Sequence, residues 1–222
     1  AARIEAAGGR AVAIAGDVAS WASAQAIVDR CGEAFGGIDG IVNNAGIVAF
    51  RTILEETEES ARRLVDVNVL GTIYPTAHAA RAMVAAGVRG TIVNVSSGNQ
   101  CGHTELVTYG STKGAVSTLT YGWARELEEH GIRVNAISPN AHTGQIDQAI
   151  AHWGHAEHAV MPEPAHNATI VVYLLSDLSS HLNGQIVRCQ HAGIHVMGHP
   201  VAVHPLAPMT EWSVGEVARA FT

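Results

Sequence analysis

The sequence TIVNVSS, at residues 91–97, decides the fold prediction. Its first five residues form a nearly continuous apolar run, which is typical of a strand in a parallel sheet that is covered on both faces. Two serines end the run, and a polar loop follows them. Helical patterns lie on either side, over residues 57–86 and 107–129, as expected for one strand of a β-α-β series.

Strand and helix patterns alternate along the rest of the chain. Strands are predicted at residues 11–15, 38–42, 91–95, 132–137 and 185–188, and helices at 21–35, 57–86, 107–129 and 163–176. Ser20 and Thr57 are the expected N-caps of the first two helices, and Pro75 is expected to kink or interrupt the second. The alternation predicts one α/β domain built on a doubly wound parallel sheet.

Polar or turn-forming residues follow three of the predicted strands. They are residues 43–46 (NNAG), the pair Ser96-Ser97 and the pair Pro139-Asn140. Because open parallel sheets bind ligands beyond the carboxyl ends of their strands, we expect these segments to border one ligand site.

The composition argues against several classes of protein. The 222 residues carry 13 Lys and Arg against 20 Asp and Glu, a formal net charge of −7, and 47% of them are hydrophobic. This balance excludes a disordered chain and disfavours nucleic-acid or anionic-membrane partners, which need a basic surface. No apolar run approaches the ~18 residues that span a bilayer. Three distant cysteines, Cys31, Cys101 and Cys189, indicate reduced thiols, so we expect a cytoplasmic protein.

Tyr109 and Lys113 form the chemically informative pair of the sequence YGSTK. Residues four apart share one face of a helix, so a phenol and an ammonium can reach the same ligand. A nearby cation favours the phenolate, although lowering a tyrosine pKa from ~10 to neutrality needs roughly 4 kcal/mol. The pair alone is weak evidence, because this pattern often arises by chance.

The order and spacing of six motifs make a stronger case. They are Asp17-Val18, residues 43–46 (NNAG), Asn68 in NVLG, Ser96-Ser97, Tyr109 with Lys113, and residues 134–139 (VNAISP). In this order the chain resembles the short-chain dehydrogenase/reductase family from Asp17 to about Gly193. The resemblance implies a Rossmann-like fold and an NAD- or NADP-dependent oxidoreductase that interconverts a secondary alcohol and a ketone.

The resemblance also implies roles for single residues. Tyr109 would be the general acid/base, and Lys113 would bind the nicotinamide ribose and depress the pKa of Tyr109. Asn68 would hold a water that links Lys113 to solvent. A serine would hydrogen-bond the substrate oxygen: the strand end selects Ser97, whereas the usual distance to the tyrosine selects Ser96. Ser97 is preferred, because loop length varies more readily than strand register.

The resemblance also assigns cofactor contacts, most of them to residues at the carboxyl ends of the strands. Asp17 and Val18 would contact the adenine, and Pro139 would lie beside the nicotinamide. The residues expected to line the rest of the cofactor are Asn44, Ala45 and Gly46, with Gly46 permitting close backbone approach. A homotetramer or dimer is implied through the helices at 57–86 and 107–129.

The chain departs from the family at its beginning. The family opens with a strand and a turn of the type TGxxxGxG, which holds the pyrophosphate at a helix N-terminus. Only sixteen residues precede Asp17 here. We therefore expect an N-terminally incomplete domain that lacks its first two strands, roughly 40 residues. The alternative is a non-catalytic remnant that cannot bind the dinucleotide.

Two further departures come late in the chain. Asn140 stands where the family usually has glycine, and residues 188–193 (RCQHAG) replace its usual VDGG. Residues 1–193 are predicted to form the domain, and residues 194–222 a tail with a short helix at 213–221. The tail loosely resembles hydroxysteroid and 3-hydroxyacyl-CoA dehydrogenases, so such a substrate is an alternative.

The remaining candidate site residues are the histidines and the side chains of residues 141–162. His152, His155 and His158 recur every three residues, and His191, His195 and His199 every four. Neither trio suits a helical metal site, so no metal is predicted and the imidazoles are expected to face solvent or substrate. Trp153 and Met161 are candidates for an apolar wall of the substrate pocket, although simple core packing explains them equally well.

Overall fold

Five strands form one sheet in the computed structural model, which describes residues 1–141, 144–154, 163–190, 193–201 and 213–220. The strands are β1 (Gly40–Asn43), β2 (Thr91–Val95), β3 (Arg133–Ser138), β4 (Ile186–Gln190) and β5 (Gly193–Val196). They lie side by side in chain order. Strands β1 to β4 run parallel, and β5 runs antiparallel to β4. The carboxyl ends of four strands therefore meet at one edge.

The α-helices of the described residues alternate with these strands. They are α1 (Ala2–Ala6), α2 (Trp21–Phe35), α3 (Glu58–Val65), α4 (Gly71–Ala85), α5 (Val107–Glu126), α6 (Gly144–Trp153), α7 (Pro164–Leu175) and α8 (Val214–Ala220). Ser20 and Thr57 accept hydrogen bonds from the backbone N–H groups of Ser23 and Ser60, which confirms both predicted N-caps. None of the described helices combines the length and apolar character that a membrane span requires.

Helices pack against both faces of the sheet. One core joins α2, α4 and α5 to the sheet, and α7 covers the other face; these two cores contain Val28, Ala79, Met83, Ile92, Ala124, Ile132 and Val134, and Val93, Ile137, Leu174 and Val187, respectively. Ile92 and Val93 belong to different cores because successive strand residues point to opposite faces. The doubly wound, Rossmann-like α/β prediction is confirmed, with the addition of an antiparallel edge strand.

The predicted strand at residues 11–15 is wrong. The chain forms no strand there, and Val12 and Ile14 are 37% and 43% exposed. A strand needs a neighbour whose backbone groups complete its hydrogen-bond ladder. No strand of the described residues pairs with this segment, so its apolar character alone does not produce a strand.

Strand β5 lies in the segment that was predicted to be a tail. It begins two residues after β4 and pairs with it from Val187–Val196 to Gln190–Gly193. Its residues gave no sequence signal, because the strand is only four residues long and Ile194 and Val196 are 68% and 61% exposed. The short helix predicted at 213–221 is present as α8.

The helical stretch predicted at residues 57–86 is interrupted, but not at the proline. A π-helical turn, Asp66–Leu70, separates α3 from α4, and Pro75 lies inside α4. Pro75 has no N–H to donate to the carbonyl of Gly71, and the π turn ends directly before that residue. Asn68 lies in this turn, which holds its side chain under the end of β1. Such turns often occur at functional sites.

Candidate active site

A cavity of about 710 Å³ opens at the carboxyl ends of β1 to β4. Six of the residues predicted for the site line it: Asn44, Gly46, Ser97, Tyr109, Lys113 and Pro139. Asp17, Val18, Ala45 and Asn68 lie outside its lining. The fold thus brings Ser97, Tyr109 and Lys113 to one cavity, whereas Asp17 and Val18, which were predicted to contact the adenine, lie outside its lining.

Tyr109 faces this cavity from the first turn of α5. The residue is only 6% exposed, and burial of the phenol raises the pKa of Tyr109. A side-chain hydrogen bond with Ser97 opposes this shift by favouring the phenolate. Ser97 and Tyr109 are therefore adjacent at the site, as required of two groups that share one substrate oxygen.

Lys113 lies one helical turn after Tyr109 and is 5% exposed. Its Nζ donates to the main-chain carbonyl of Val95 at 2.9 Å and lies 5.8 Å from the centre of the Tyr109 ring. Burial lowers the pKa of Lys113 to about 8. The resemblance implied that this ammonium lowers the pKa of Tyr109. In the structure, burial is the larger influence on the phenol and raises its pKa.

The two candidate serines have different partners. The Ser96 hydroxyl lies 3.1 Å from the carbonyl oxygen of Lys113, to which it donates, and 2.8 Å from Ser117 Oγ, and the residue is 2% exposed. Ser97 accepts a hydrogen bond from the backbone N–H of Asn99 and bonds Tyr109. Ser96 thus ties β2 to α5, whereas Ser97 meets the tyrosine.

Asn68 is buried beneath Gly46 with its amide hydrogen-bonded. Its Oδ1 accepts from Ile47 N at 2.8 Å, and its Nδ2 donates to Ile47 O and to Thr112 Oγ1, both at 3.0 Å. A Cβ at Gly46 would lie 3.3 Å from both Asn68 Oδ1 and Lys113 Nζ. Only glycine leaves this space open, so the backbone at Gly46 offers a cradle for a ligand beside Lys113.

Asp17 and Val18 form the turn that leads into α2. The backbone N–H of Asp17 donates to Ser23 Oγ at 2.8 Å, and its carboxylate accepts from Ala19 N at 2.9 Å. Val18 packs so closely against Gly71 that a Cβ there would lie 2.7 Å from Val18 Cγ2. These contacts hold α2 against the start of α4.

Two aromatic side chains, Phe50 and Trp153, line one side of the cavity, and Glu105 and His152 contact them from outside that lining. Trp153 Nε1 donates to the Glu105 carboxylate, and His152 Nε2 lies 3.6 Å from it. Phe50 stacks on His152 with ring centres 5.3 Å apart and meets Trp153 edge-on at 5.1 Å. Sequence reasoning found Trp153 but missed Phe50 and Glu105, because these come from separate loops. Met161 lies outside the described residues.

Metal binding has no support within the described ranges. No group of three or more His, Cys, Asp or Glu side chains there is placed to hold a metal ion. His199 Nε2 instead hydrogen-bonds Gly184 O at 2.8 Å, with its ring centre 4.0 Å from that of Tyr121. His155, His158 and His191 lie outside the described residues.

Comparison with known proteins identifies many similar chains. The family model for short chain dehydrogenases matches residues 1–154. L-rhamnose 1-dehydrogenase (NAD(P)(+)) of a Sphingomonas species is 35% identical, covering 82% of this chain and 76% of that relative. Human L-xylulose reductase is 34% identical, with 76% and 71% covered.

Solved structures show the same likeness. A short chain dehydrogenase from Mycobacterium avium superimposes with a TM-score of 0.84 at 31% identity, covering 99% of this chain and 74% of that one. The structure of ElxO with NADP bound gives a TM-score of 0.71 at 27% identity, with 78% and 73% covered.

Proposed function

The chain belongs to the short-chain dehydrogenase family, an NAD(P)-dependent oxidoreductase family, and from this we propose that it interconverts a secondary alcohol and a ketone with Tyr109 as the acid/base. One observation carries the proposal: Ser97, Tyr109 and Lys113 line a single cavity at the carboxyl ends of the strands. A hydroxyl, a phenol and an ammonium in contact with one space suit proton exchange with a carbonyl oxygen.

The cavity suits the nicotinamide-ribose part of the cofactor. Lys113 presents a buried ammonium next to the cradle at Gly46, where a Cβ would lie 3.3 Å from Nζ. Three N–H donors belong to an ammonium, so its bond to Val95 is compatible with binding the ribose hydroxyls. Asn44 and Pro139 border the same space. When bound, the nicotinamide gives or takes the hydride.

The proposed proton path begins at the substrate oxygen. Ser97 donates a hydrogen bond to that oxygen and holds it beside the Tyr109 hydroxyl. In alcohol oxidation, Tyr109 reacts as the phenolate and accepts the hydroxyl proton as the carbinol hydrogen leaves as hydride. In ketone reduction, Tyr109 donates a proton to the same oxygen. Burial lowers the pKa of Lys113 to about 8, so its ammonium can exchange a proton with this site at a pH close to 8.

Asn68 is proposed to act beneath these groups. Its amide holds both backbone polar groups of Ile47, and it also donates to Thr112, which directly precedes Lys113. A water relay from Lys113 to solvent past Asn68 remains part of the proposal. The adenine contacts of Asp17 and Val18, and the cofactor contact of Ala45, are proposed from the family resemblance alone.

The two named relatives are a dehydrogenase and a reductase of sugars, L-rhamnose and L-xylulose. From these relatives we infer for this chain only the reacting group of the substrate, which is a secondary alcohol or ketone on a small molecule. The choice between NAD and NADP stays open, since the NADP-bound neighbour is a different protein.

The decisive experiment separates cofactor binding from turnover. NADH and NADPH fluorescence on titration with the protein should show saturable enhancement for at least one of them, and alcohol oxidation should follow. Tyr109→Phe should abolish turnover and largely keep cofactor binding, because it removes only the proton-transferring oxygen. Retained turnover in that variant would remove the acid/base assignment. An absence of saturable binding to either cofactor would favour the non-catalytic alternative.

A further inference from the structure

Arg188 brings a second cation to the cavity, against Gly98, the residue that follows Ser97. It lies on β4 directly opposite Ser138 of β3, and its Nη1 donates to Ser138 Oγ at 2.9 Å. The guanidinium rests against Gly98: a Cβ there would lie 2.1 Å from Nη1 and 2.7 Å from Cζ. Because Gly98 has no side chain, it leaves room for the guanidinium, and any larger residue would displace it.

This position is close to the reacting atoms. Gly98 directly follows Ser97, and consecutive Cα atoms are about 3.8 Å apart. The guanidinium therefore lies against the residue next to Ser97, which is proposed to hold the substrate oxygen. Because Arg188 lines the same cavity as Tyr109, one small substrate can contact both residues.

The charge of the cavity is opposite to that of the chain. Arg188 and Lys113 both line it, and no Asp or Glu is among the described residues of its lining. The chain as a whole has a formal net charge of −7. A positive cavity in an acidic protein selects for negative ligands, since low-dielectric walls strengthen the local field.

A second partly buried arginine shows what a structural arginine does in this protein. Arg133 donates to the carbonyl oxygens of Leu174, Ser176, Ser179 and Leu182, and thereby ties β3 to the end of α7. Arg188 has a different setting, because its guanidinium borders a ligand-sized space. A guanidinium carries five N–H donors in a planar fork, a geometry that matches a carboxylate.

We propose that Arg188 binds a carboxylate of the substrate, so that the enzyme selects hydroxy acids and oxo acids over their neutral counterparts. The inference rests on the proposed function and assigns the substrate class of that site. The carboxylate is a handle only: the hydride leaves or enters at the carbinol carbon, and the proton moves between the substrate oxygen and Tyr109. A contact made equally before and during reaction lowers KM and leaves kcat little changed.

The test compares acids with their methyl esters, which keep the shape and lose the charge. Reduction of 2-oxobutanoate, 3-oxobutanoate and 4-oxopentanoate, each beside its ester, covers three spacings between ketone and carboxylate. We expect kcat/KM for at least one acid to exceed that of its ester by ~10-fold or more, mostly through KM, since a hydrogen-bonded charge pair contributes this much. (2-Oxopropyl)phosphonate tests whether a phosphorus oxyanion is the better ligand.

Three variants assign the preference to the guanidinium. Arg188→Met should bring the acid-to-ester ratio close to one, and Arg188→Lys should restore part of it. Gly98→Ala keeps the arginine but occupies its place, so it should also lower the ratio. Arg125→Met, an exposed arginine on α5, is the control and should keep the wild-type ratio. Melting temperatures show whether each variant is folded.

Calorimetric titration with the acids and esters provides a readout that needs no turnover. If wild type binds an acid more tightly than its ester and Arg188→Met does not, the inference holds even where no ketone is reduced; the proposed function alone then fails. If ketones are reduced but the wild-type ratio is near one, or Arg188→Met keeps the ratio, the inference is overturned. Preference for the phosphonate over every acid overturns the carboxylate assignment.

Discussion

Lys113 Nζ donates to the main-chain carbonyl of Val95 at 2.9 Å, so the ammonium is fixed at the last residue of β2. Ser97 follows that residue by two positions, and Tyr109 precedes Lys113 by one helical turn. One strand end and one turn of α5 therefore position the three groups that we propose for proton transfer. The buried lysine is therefore a probe of this arrangement.

The lysine titration is directly measurable, because Lys113 is the only lysine in the 222-residue sequence. Protein labelled with ¹³Cε-lysine should give one lysine resonance that titrates with a midpoint near pH 8, as burial lowers the pKa of Lys113 to about 8. Lys113→Met should lose the resonance and so confirm its assignment. A midpoint above pH 10 would show that the ammonium is exposed to solvent, contrary to the structure.

The same burial predicts a pH dependence of stability. The unfolded chain keeps its lysine proton up to the ordinary pKa of 10.5, and the folded protein keeps it only up to about 8. Between these values the unfolded state binds more protons, so the free energy of unfolding rises with pH. Relative to Lys113→Met, wild type should gain at most about 3 kcal/mol over this range.

Urea unfolding of wild type and Lys113→Met at several pH values between 7.5 and ~10.5 would measure this difference. Taking the difference removes the titrations that both proteins share, including those of Tyr109 and Cys189. A difference that stays constant with pH would mean that Lys113 keeps its ordinary pKa in the folded protein.

Sequence alone predicted the parts of the site that depend on local signals. The residues at the ends of β1, β2 and β3 were predicted to meet because parallel strands place their carboxyl ends at one edge, and Asn44, Ser97 and Pro139 do line one cavity. The strand predicted at residues 11–15 does not form, and the reason is non-local, since a strand needs a hydrogen-bonded partner strand. Arg188 was visible only as an unusual residue after Val187. Its contact with Gly98 joins two strand ends that are distant in the sequence.

The two serines make a matched pair of variants. Ser97→Ala should reduce kcat by about 10²-fold, because it removes the donor to the substrate oxygen, and its stability should change little. Ser96→Ala should lower the free energy of unfolding by about 1 kcal/mol, because it removes the two buried hydrogen bonds of the Ser96 hydroxyl, while Ser117 Oγ keeps its bond to the Lys113 carbonyl. Its kcat should fall much less. The reverse pattern would make Ser96 the catalytic serine.

The buried amides of the first two strands predict an effect on stability. Asn43 Nδ2 donates to Asn94 Oδ1 at 2.8 Å, and Asn94 Nδ2 donates to Thr120 Oγ1 at 2.9 Å. These two hydrogen bonds join β1, β2 and α5 through buried side chains. Asn94→Ala should destabilise the protein by about 1–3 kcal/mol, since Asn43 and Thr120 each lose one buried hydrogen bond and keep only those to Thr76 and Val116. Unfolding curves would show it, and Asn94→Asp should be no better, because a carboxylate supplies no N–H for Thr120.

Two glycines of α5 provide a final pair of variants with opposite expected effects. A Cβ at Gly110 would lie 2.3 Å from the carbonyl oxygen of Asn99, in the turn that follows Ser97. Nothing lies within 4 Å of a Cβ at Gly114. Gly110→Ala should therefore lower the free energy of unfolding by about 1–3 kcal/mol, as overpacking does. Gly114→Ala should raise it by about 0.5–1 kcal/mol, because alanine favours the helix.

Activity distinguishes the two substitutions as clearly as stability. The methyl group that Gly110→Ala introduces would push the turn at residues 98–101 away from α5, and Ser97 is the N-cap of that turn. Gly110→Ala should thus reduce turnover together with stability, whereas Gly114→Ala should improve stability with Ser97 in place. Kinetics of both variants at a temperature well below either Tm would separate displacement of Ser97 from simple unfolding. Full activity in Gly110→Ala would mean that the turn can move without carrying Ser97 away from Tyr109.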